Sequence, residues 1–189
     1  AMRLDTSDSE ACEKTIAEIA KRLGRLDVLI CNAGISIDSL VLRLKDEDFE
    51  RVLSVNLKGA VACARAAIKV MMRAKVGRIV FVSSVVGEMG NVGQTAYAAS
   101  KAALLGVMKS LAREYATRGI TVNAVTPGYV DTDMTSGLTP ELKEKMLAGV
   151  PLGRTATARE VAAAVTYLTT DEAAYVTGHA LRVNGGMYM

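Results

Sequence analysis

The sequence is short of the residues that build metal centres and disulfide frameworks. Its 189 residues include one histidine, no tryptophan and three cysteines, and aromatic residues make up 4% of the chain. A histidine-based metal centre is therefore not expected. Cys12, Cys31 and Cys63 are odd in number and lack Cys-x-x-Cys spacing, which predicts free thiols rather than disulfides or a zinc site.

Strong charge and long apolar runs are missing as well. The net charge is +3 and there is no basic run, so a nucleic-acid partner is not expected, although an anionic cofactor or an acidic partner would fit. The chain has no signal peptide and no apolar run of about 18 residues, which predicts a soluble, cytoplasmic protein that does not bind membranes. Half of the residues are hydrophobic and the length suits one domain with a sizeable core.

Helical and strand patterns alternate along the chain. Met2-Arg3-Leu4 resembles the end of a strand, and Ser7-Asp8-Ser9 can cap a helix that Gly24 ends. Later helices are predicted at 46–75, 96–117, 140–148 and 158–169, and strands at 27–31, 78–83, 120–125 and 181–183; glycines mark a loop at 87–93. The strands lack polar alternation, as in sheets covered by helices on both faces. The pattern predicts an α/β fold with a parallel sheet and right-handed crossovers.

Polar and glycine-containing segments follow the predicted strands at the edge where such sheets carry their chemistry. Asn32-Ala33-Gly34 follows the first strand, Ser84 the second, and Thr126-Pro127-Gly128 the third. Tyr97 begins the helix between the last two strands, and Lys101 lies one turn further along the same helical face. The order of the strands therefore predicts that these groups meet at one edge of the sheet.

Together the residues fit the reduction of a carbonyl group, which needs a hydride donor, a proton donor and a group to hold the developing oxyanion. A tyrosine has a pKa near 10, which a nearby ammonium such as Lys101 would lower. Ser84 could hold the substrate oxygen, and Asn56 a water that connects Lys101 to solvent. Each also has a structural alternative: Ser84 as a cap, Asn56 as a polar helix residue bound to a backbone carbonyl, the Tyr97/Lys101 pair as helix surface, and the glycine segments as turns.

These motifs, in this order, resemble those of the short-chain dehydrogenases/reductases, and the resemblance extends from about residue 4 to residue 189. The stretches SSVVGEMGNVGQTAYAASKA, TVNAVTPGYVDTDM, DEAAYVTG and VNGGMYM are most similar to the 3-oxoacyl-[acyl-carrier-protein] reductases of fatty acid biosynthesis. The resemblance implies a single domain over 1–189 with a Rossmann-type, doubly wound parallel sheet in three layers. Cys31 departs from the family, in which asparagine is more usual.

The resemblance also implies an activity and a role for each matching residue. Tyr97 would donate the proton, Lys101 would bind the nicotinamide ribose and lower the tyrosine pKa, Ser84 would orient the ketone, and Asn56 would complete a proton relay. The cofactor would be NADPH/NADP, and the reaction the NADPH-dependent reduction of 3-oxoacyl-[acyl-carrier-protein] to the (3R)-3-hydroxyacyl thioester. Besides Tyr97 and Lys101, the implied cofactor-binding residues are Asp5 and Thr6 near the adenine, Asn32, Ala33, Gly34, Pro127 and Gly128 along the cleft, and Val130 at the carboxamide.

Two partners follow from the same resemblance. An acidic acyl carrier protein would dock on basic residues, for which Lys75 and Arg118 stand at matching positions; the alternative for both is ordinary solvated surface. The chain would also form a homotetramer, in which helices 46–75 and 96–117 pack against their copies and the C-terminal strand pairs across a second interface. Small residues at Ala60, Ala64 and Ala67 would allow the helices to approach closely.

The beginning of the chain departs from the family pattern. The family opens with a strand, a TGxxxGxG phosphate loop at a helix N-terminus and a second strand, and no glycine-rich loop precedes Gly24 here. The domain is therefore expected to be N-terminally incomplete, lacking its first two strand–helix units. This leaves two functional alternatives open: another short-chain reductase acting on acyl-CoA thioesters or small alcohols, and an inactive fragment serving only in oligomerisation.

Overall fold

The computed structural model describes residues 1–132 and 139–189, which alternate between helices and strands. The helices are α1 (Ser9–Leu23), α2 (Asp46–Leu53), α3 (Gly59–Ala74), α4 (Val86–Met89), α5 (Thr95–Tyr115), α6 (Pro140–Leu147) and α7 (Ala158–Thr169). The strands are β1 (Val28–Cys31), β2 (Gly77–Val82), β3 (Ile120–Pro127), β4 (Val130–Asp131), β5 (Ala156–Thr157) and β6 (Ala180–Val183).

The strands β1, β2, β3 and β6 form one sheet in that order, and every neighbouring pair is parallel. The short strands β4 and β5 pair with each other. The predicted parallel sheet is therefore confirmed. Met2-Arg3-Leu4 was wrongly predicted as the end of a strand, since these residues have no regular structure. A strand needs a neighbour for its backbone groups, and within the described residues β1 pairs with β2 alone.

Helices cover the sheet on both faces, and alternate residues of each strand point to opposite layers. In β2, Ile79 and Phe81 belong to a core that also contains buried residues of α1, α3 and α5. Val80 lies in a second core with Leu168 of α7. All four side chains are fully buried. This three-layer arrangement explains why the strands read as continuous apolar runs.

Strand β3 runs two residues beyond its predicted end. Pro127 was expected to break the strand, but it pairs with Val183 of β6 as the last residue of β3. A proline lacks the backbone N–H, and the end of a strand tolerates that loss. Its carbonyl oxygen accepts a hydrogen bond from Val85 N at 2.8 Å, which ties β3 to the segment that follows β2.

Helix α1 has the boundaries that its sequence predicts. The carboxylate of Asp8 accepts a hydrogen bond from Ala11 N at 3.0 Å, which caps the first turn. Gly24 ends the helix with a φ of 76°, in the left-handed region that glycine adopts without strain. The helix packs on α3 through its buried residues Cys12 and Ile16.

The three cysteines are distant in sequence but lie together between α1, α3 and β1. Cys12 hydrogen-bonds Cys63, and Cys31 is close enough to interact with both. Burial raises the pKa of all three thiols, that of Cys63 to about 12. They are free thiols, as predicted, and they stay protonated at neutral pH.

The long helix predicted at 46–75 is divided by one π-helical turn, Ser54–Lys58. Its last residue is Ala74, and Lys75 ends it in the left-handed region with a φ of 54°, where a glycine would be usual. A small-residue contact with another copy was expected at Ala60, Ala64 and Ala67, and for Ala64 and Ala67 this prediction is wrong. Ala64 and Ala67 are fully buried in the core of their own chain, because this face of α3 packs on the sheet.

Candidate active site

The carboxyl edge of the sheet brings Ser84, Tyr97 and Lys101 together. Lys101 is only 4% exposed; its ammonium donates a hydrogen bond to the oxygen of Val82 at 2.8 Å and lies 5.6 Å from the centroid of the Tyr97 ring. The hydroxyl of Ser84 hydrogen-bonds the Tyr97 side chain. A proton donor, a cation and a second hydroxyl thus share one small space.

Two further serines hold the first turns of α5 in place. The hydroxyl of Ser83 donates to the carbonyl oxygen of Lys101, and that of Ser100 donates to the carbonyl oxygen of Tyr97, both at 2.7 Å. Both serines are buried. Sequence reasoning missed them, although Ser83 directly precedes Ser84 and Ser100 lies one turn after Tyr97.

Asn56 lies in the π-helical turn and is 1% exposed. Its side-chain oxygen accepts from Ile35 N at 2.8 Å, and its nitrogen donates to Ile35 O at 2.9 Å and to Ser100 Oγ at 3.0 Å. The amide therefore joins the loop after β1 to α5. These are the backbone hydrogen bonds of the structural alternative, and the relay role of Asn56 stays a prediction.

Gly34 keeps open a space beside the lysine. A side-chain carbon at this position would lie 3.3 Å from Lys101 Nζ and 3.4 Å from Asn56 Oδ1. An ammonium has three donor hydrogens, and Val82 O accepts one of them. The region between Gly34 and the Lys101 ammonium, called the Gly34 cradle below, could therefore offer the remaining donors to the ribose hydroxyls of a nicotinamide nucleotide. Asn32 and Ala33 are exposed at the same edge.

Asp5 and Thr6 precede α1, and Thr6 lies next to the start of α3. The carbonyl oxygen of Thr6 lies against Gly59, where a side-chain carbon would be 2.1 Å away, so only glycine allows this contact at the start of α3. The hydroxyl and backbone N–H of Ser7 both donate to Asp5, and these hydrogen bonds lower the pKa of its carboxyl. Asp5 is thus an anion held at the position predicted to lie near an adenine.

The loop after β3 is built close to the chain that follows β6. Gly128 N donates to Val183 O at 3.0 Å, and a side-chain carbon at position 128 would lie 2.7 Å from Asn184 Cα. Glycine is therefore required at this close approach. Val130 follows in β4, where it pairs with Ala156.

The electrostatics of the pair differ from the sequence-based prediction. Burial raises the pKa of Tyr97; the Ser84 hydrogen bond opposes this, and the negative charge of Asp38 adds to it. Burial also lowers the pKa of Lys101 to about 8. In the protein without cofactor the net shift of the Tyr97 pKa is upward, because desolvation of the phenolate outweighs the stabilising interactions. That Lys101 favours the phenolate stays a prediction. A phenol that stays protonated at neutral pH suits proton donation.

Lys75 and Arg118 lie at the other edge of the sheet. Lys75 is two residues before β2, Arg118 is two residues before β3, and the Lys75 carbonyl is next to Gly119. Ser84 comes two residues after β2, so the length of the strand separates these basic residues from the site of their own chain by roughly 20 Å. The structure therefore brings them to each other but not to Tyr97.

Comparison with known proteins shows the family to which the chain belongs. A family model described as enoyl-(acyl carrier protein) reductase matches residues 1–188. The chain belongs to the short-chain dehydrogenase/reductase family, a family of oxidoreductases. It is similar to the 3-oxoacyl-[acyl-carrier-protein] reductase FabG of Escherichia coli K12, with 47% identity over 188 residues, and to that of Salmonella typhimurium LT2, with 46%. Both alignments cover 100% of this chain and 77% of the relative.

A third similar protein is the 3-oxoacyl-[acyl-carrier-protein] reductase FabG of Staphylococcus aureus Mu50, with 46% identity over 189 residues, again 100% of this chain and 77% of that protein. The matches confirm the short-chain dehydrogenase/reductase resemblance and, with the parallel sheet between helices, its Rossmann-type fold. Within the described residues, no cluster of His, Cys, Asp or Glu is arranged to hold a metal ion. None of the helices in 1–132 and 139–189 combines the length and apolar character needed to cross a membrane.

The segment after Ser84 forms the short helix α4, where the sequence predicted only a loop. Gly87 of this helix lies against α5: a side-chain carbon there would be 2.8 Å from Ala102 N and 2.8 Å from the carbonyl carbon of Lys101. These are backbone atoms of α5, which cannot move aside as the end of a flexible side chain can. The contact sets the distance between the Ser84 loop and Lys101.

Gly87→Ala is therefore expected to push the Ser84 loop away from Lys101. We expect turnover to fall by about tenfold or more and the free energy of unfolding to fall by about 1–3 kcal/mol. Steady-state kinetics and denaturant titration check both values. The matched control is Gly149→Ala, because a side-chain carbon there would meet only Met146 O at an ordinary 3.5 Å. Equal effects of the two substitutions would contradict the steric argument.

Proposed function

We propose that the protein reduces the 3-oxo group of an acyl thioester to a (3R)-hydroxyl group with NADPH as the hydride donor. The observation that carries the proposal is the convergence of Ser84, Tyr97 and a buried Lys101 at one edge of the sheet. It is supported by relatives of 46–47% identity that are named 3-oxoacyl-[acyl-carrier-protein] reductases. Fatty acid biosynthesis in the cytoplasm is the corresponding role.

Each of the converging side chains has a separate role in the proposed reduction. A bound nicotinamide supplies the hydride that the carbonyl carbon accepts. Ser84 donates a hydrogen bond to the ketone oxygen, and Tyr97 transfers its phenolic proton to that oxygen as the C=O bond becomes a C–O bond. The Lys101 ammonium stabilises the phenolate that remains, since it lies close to the ring. Asn56 would return a proton from solvent through a relay to Lys101 and Tyr97.

The cofactor would lie along the carboxyl edge. Lys101 would hold the nicotinamide ribose in the cradle beside Gly34, where hydrogen in place of a side chain leaves room. Tyr97 is protonated at neutral pH, which is the form that can donate a proton to a ketone oxygen. The further residues proposed to bind the cofactor are Asp5, Thr6, Asn32, Ala33, Pro127, Gly128 and Val130.

The proposed thioester carrier is acyl carrier protein, and Lys75 and Arg118 are its proposed docking residues. Because they lie at the edge away from Tyr97 of the same chain, we propose that they serve the site of a neighbouring subunit in a homotetramer. Negative charge on a carrier protein would complement two adjacent cations.

The test is NADPH oxidation by the purified protein, followed by absorbance. A 3-oxoacyl thioester and a 2-enoyl thioester are each offered on acyl carrier protein and on coenzyme A, with NADPH and with NADH. We expect the highest kcat/KM for the 3-oxoacyl carrier-protein thioester with NADPH, and a (3R) product. Equal or better use of coenzyme A thioesters would favour the other-reductase alternative, and use of the enoyl thioester alone would replace the proposed reaction. A protein that neither binds nor oxidises NADPH would be the inactive alternative.

A further inference from the structure

The loop after β1 and the start of α5 are joined by a side-chain pair that the mechanism has not used. Gln94 immediately precedes α5, and its amide nitrogen lies 3.2 Å from each carboxylate oxygen of Asp38. Its amide oxygen accepts from Asn91 Nδ2 at 2.8 Å. Both ends of the Gln94 amide are thus engaged across the loops, although a residue at this position would ordinarily cap its own helix.

Backbone contacts reinforce the pair. Ser39, next to Asp38, forms a parallel β-bridge with Gln94, and its N–H donates to Gly93 O at 2.7 Å. The hydroxyl of Ser36 donates to the Asp38 carboxylate as well. The contact therefore joins two segments more than fifty residues apart along the chain.

The position of the pair connects it to the chemistry. The loop that contains Asp38 begins with Gly34 beside Lys101, and Asn56 holds both backbone groups of Ile35. Asn56 fixes the near end of this loop, and Asp38 fixes its far end to α5. Tyr97 is three residues beyond Gln94, so the pair sets the separation between the Gly34 cradle and the phenol.

The negative charge of Asp38 also acts on the phenol of Tyr97 and raises its pKa. Charged groups that act on or lie close to Tyr97 include Asp38, from the loop after β1, and Lys101, on α5 itself. The Ser84 hydroxyl faces Tyr97 from the third element, the loop after β2. A carboxylate is also favourable at the N-terminus of a helix of 21 residues such as α5.

We propose that Asp38 and Gln94 are a positioning pair, which holds the catalytic tyrosine at its working distance from the cofactor cradle. The inference rests on the proposed function of Tyr97, but it concerns contacts that exist without cofactor or substrate. Neither side chain is assigned a proton transfer. The pair acts through the placement of α5 and through the charge it puts beside the phenol.

The test exchanges the two functional groups. Gln94→Glu puts a second carboxylate against Asp38 and breaks the contact, whereas the double variant Asp38→Asn/Gln94→Glu restores it with donor and acceptor swapped. We expect Gln94→Glu to lower kcat/KM for carbonyl reduction by about 10- to 100-fold, and the double variant to recover to within about threefold of the wild type. Glu114→Gln, at an exposed carboxylate near the other end of α5, is the control.

A second measurement needs no turnover. NMR titration of tyrosines labelled with ¹³C at Cζ, assigned with Tyr97→Phe, follows the Tyr97 phenol in cofactor-free protein. We expect its pKa to fall in Asp38→Asn, to rise in Gln94→Glu, and to return to the wild-type value in the double variant, because the charge beside the ring is removed, doubled and restored.

The outcomes separate this inference from the proposed function. If the wild type lacks reductase activity but the three titrations follow this order, the function fails and the pair stands. If the double variant recovers neither kcat/KM nor the wild-type titration, the pair is not a positioning device; a direct contact of Gln94 with substrate, for example, would show no recovery.

Discussion

Tyr97→Phe is expected to lower the turnover of carbonyl reduction by about 10²- to 10⁴-fold, the range for a positioned general acid. The substitution removes the proton that the ketone oxygen must receive, and it leaves the ring in place beside Lys101. The phenol loses one hydrogen bond, to Ser84, so the free energy of unfolding should change by no more than about 1 kcal/mol. Steady-state kinetics, with circular dichroism to verify the fold, measure the effect.

The control is Tyr175→Phe, because that side chain is fully exposed and far along the chain from the site. It should leave turnover and stability unchanged. Near-normal turnover of Tyr97→Phe in a folded protein would show that another group donates the proton, and the assignment of Tyr97 would have to be abandoned.

Lys101→Met is expected to lower turnover by about 10²-fold or more and to raise the KM for the cofactor. Methionine keeps the length of the buried side chain but removes the charge near Tyr97 and the hydrogen bond to Val82 O. Lys109→Met, at an exposed position two turns further along α5, is the matched control and should have little effect. Normal turnover in Lys101→Met would exclude its role beside the phenolate, and an unchanged KM for the cofactor would exclude its role at the ribose.

The same variant has a pH-dependent effect on stability. Burial lowers the pKa of Lys101 from 10.5 to about 8, so between these values the unfolded state binds more protons than the folded state. The contribution of Lys101 therefore makes the wild type more stable as pH rises from about 8 to about 10. The three buried thiols, whose pKa values are raised, act in the opposite direction over the same range and are common to both variants. Denaturant titrations should therefore show that the difference in the free energy of unfolding, Lys109→Met minus Lys101→Met, rises from about pH 8 to about pH 10.

Local signals in the sequence predicted the strands and the simplest helix well. The buried runs of β2 and β3 and the capped helix α1 are recognisable because each depends on neighbouring residues. Less local features were missed. The π-helical turn at Ser54–Lys58 and the short helix α4 depend on what packs against them, and Pro127 stays in its strand because β6 lies beside it.

The convergence of the proposed catalytic residues could be predicted because their order along the chain places them at one edge of a parallel sheet. The direction of the Tyr97 pKa shift could not be predicted from the sequence, since it depends on how deeply the ring is buried. The contact between Asp38 and Gln94 could not be predicted either, because it joins two loops that only the folded sheet brings together. The edge of the sheet at which Lys75 and Arg118 lie follows from strand direction, because both residues precede the strands that lead to the candidate site.

The hydrogen bonds of Asn56 have a consequence for how the protein folds. Its side chain bonds Ile35, 21 residues earlier, and Ser100, 44 residues later. Bringing such distant segments together requires long loops to close first, which is slow and entropically unfavourable. Helix α1 can form early from its own residues, whereas the amide network around Asn56 forms only once both flanking crossovers are in place. The Asn56 contacts at the candidate site are therefore expected to form late in folding.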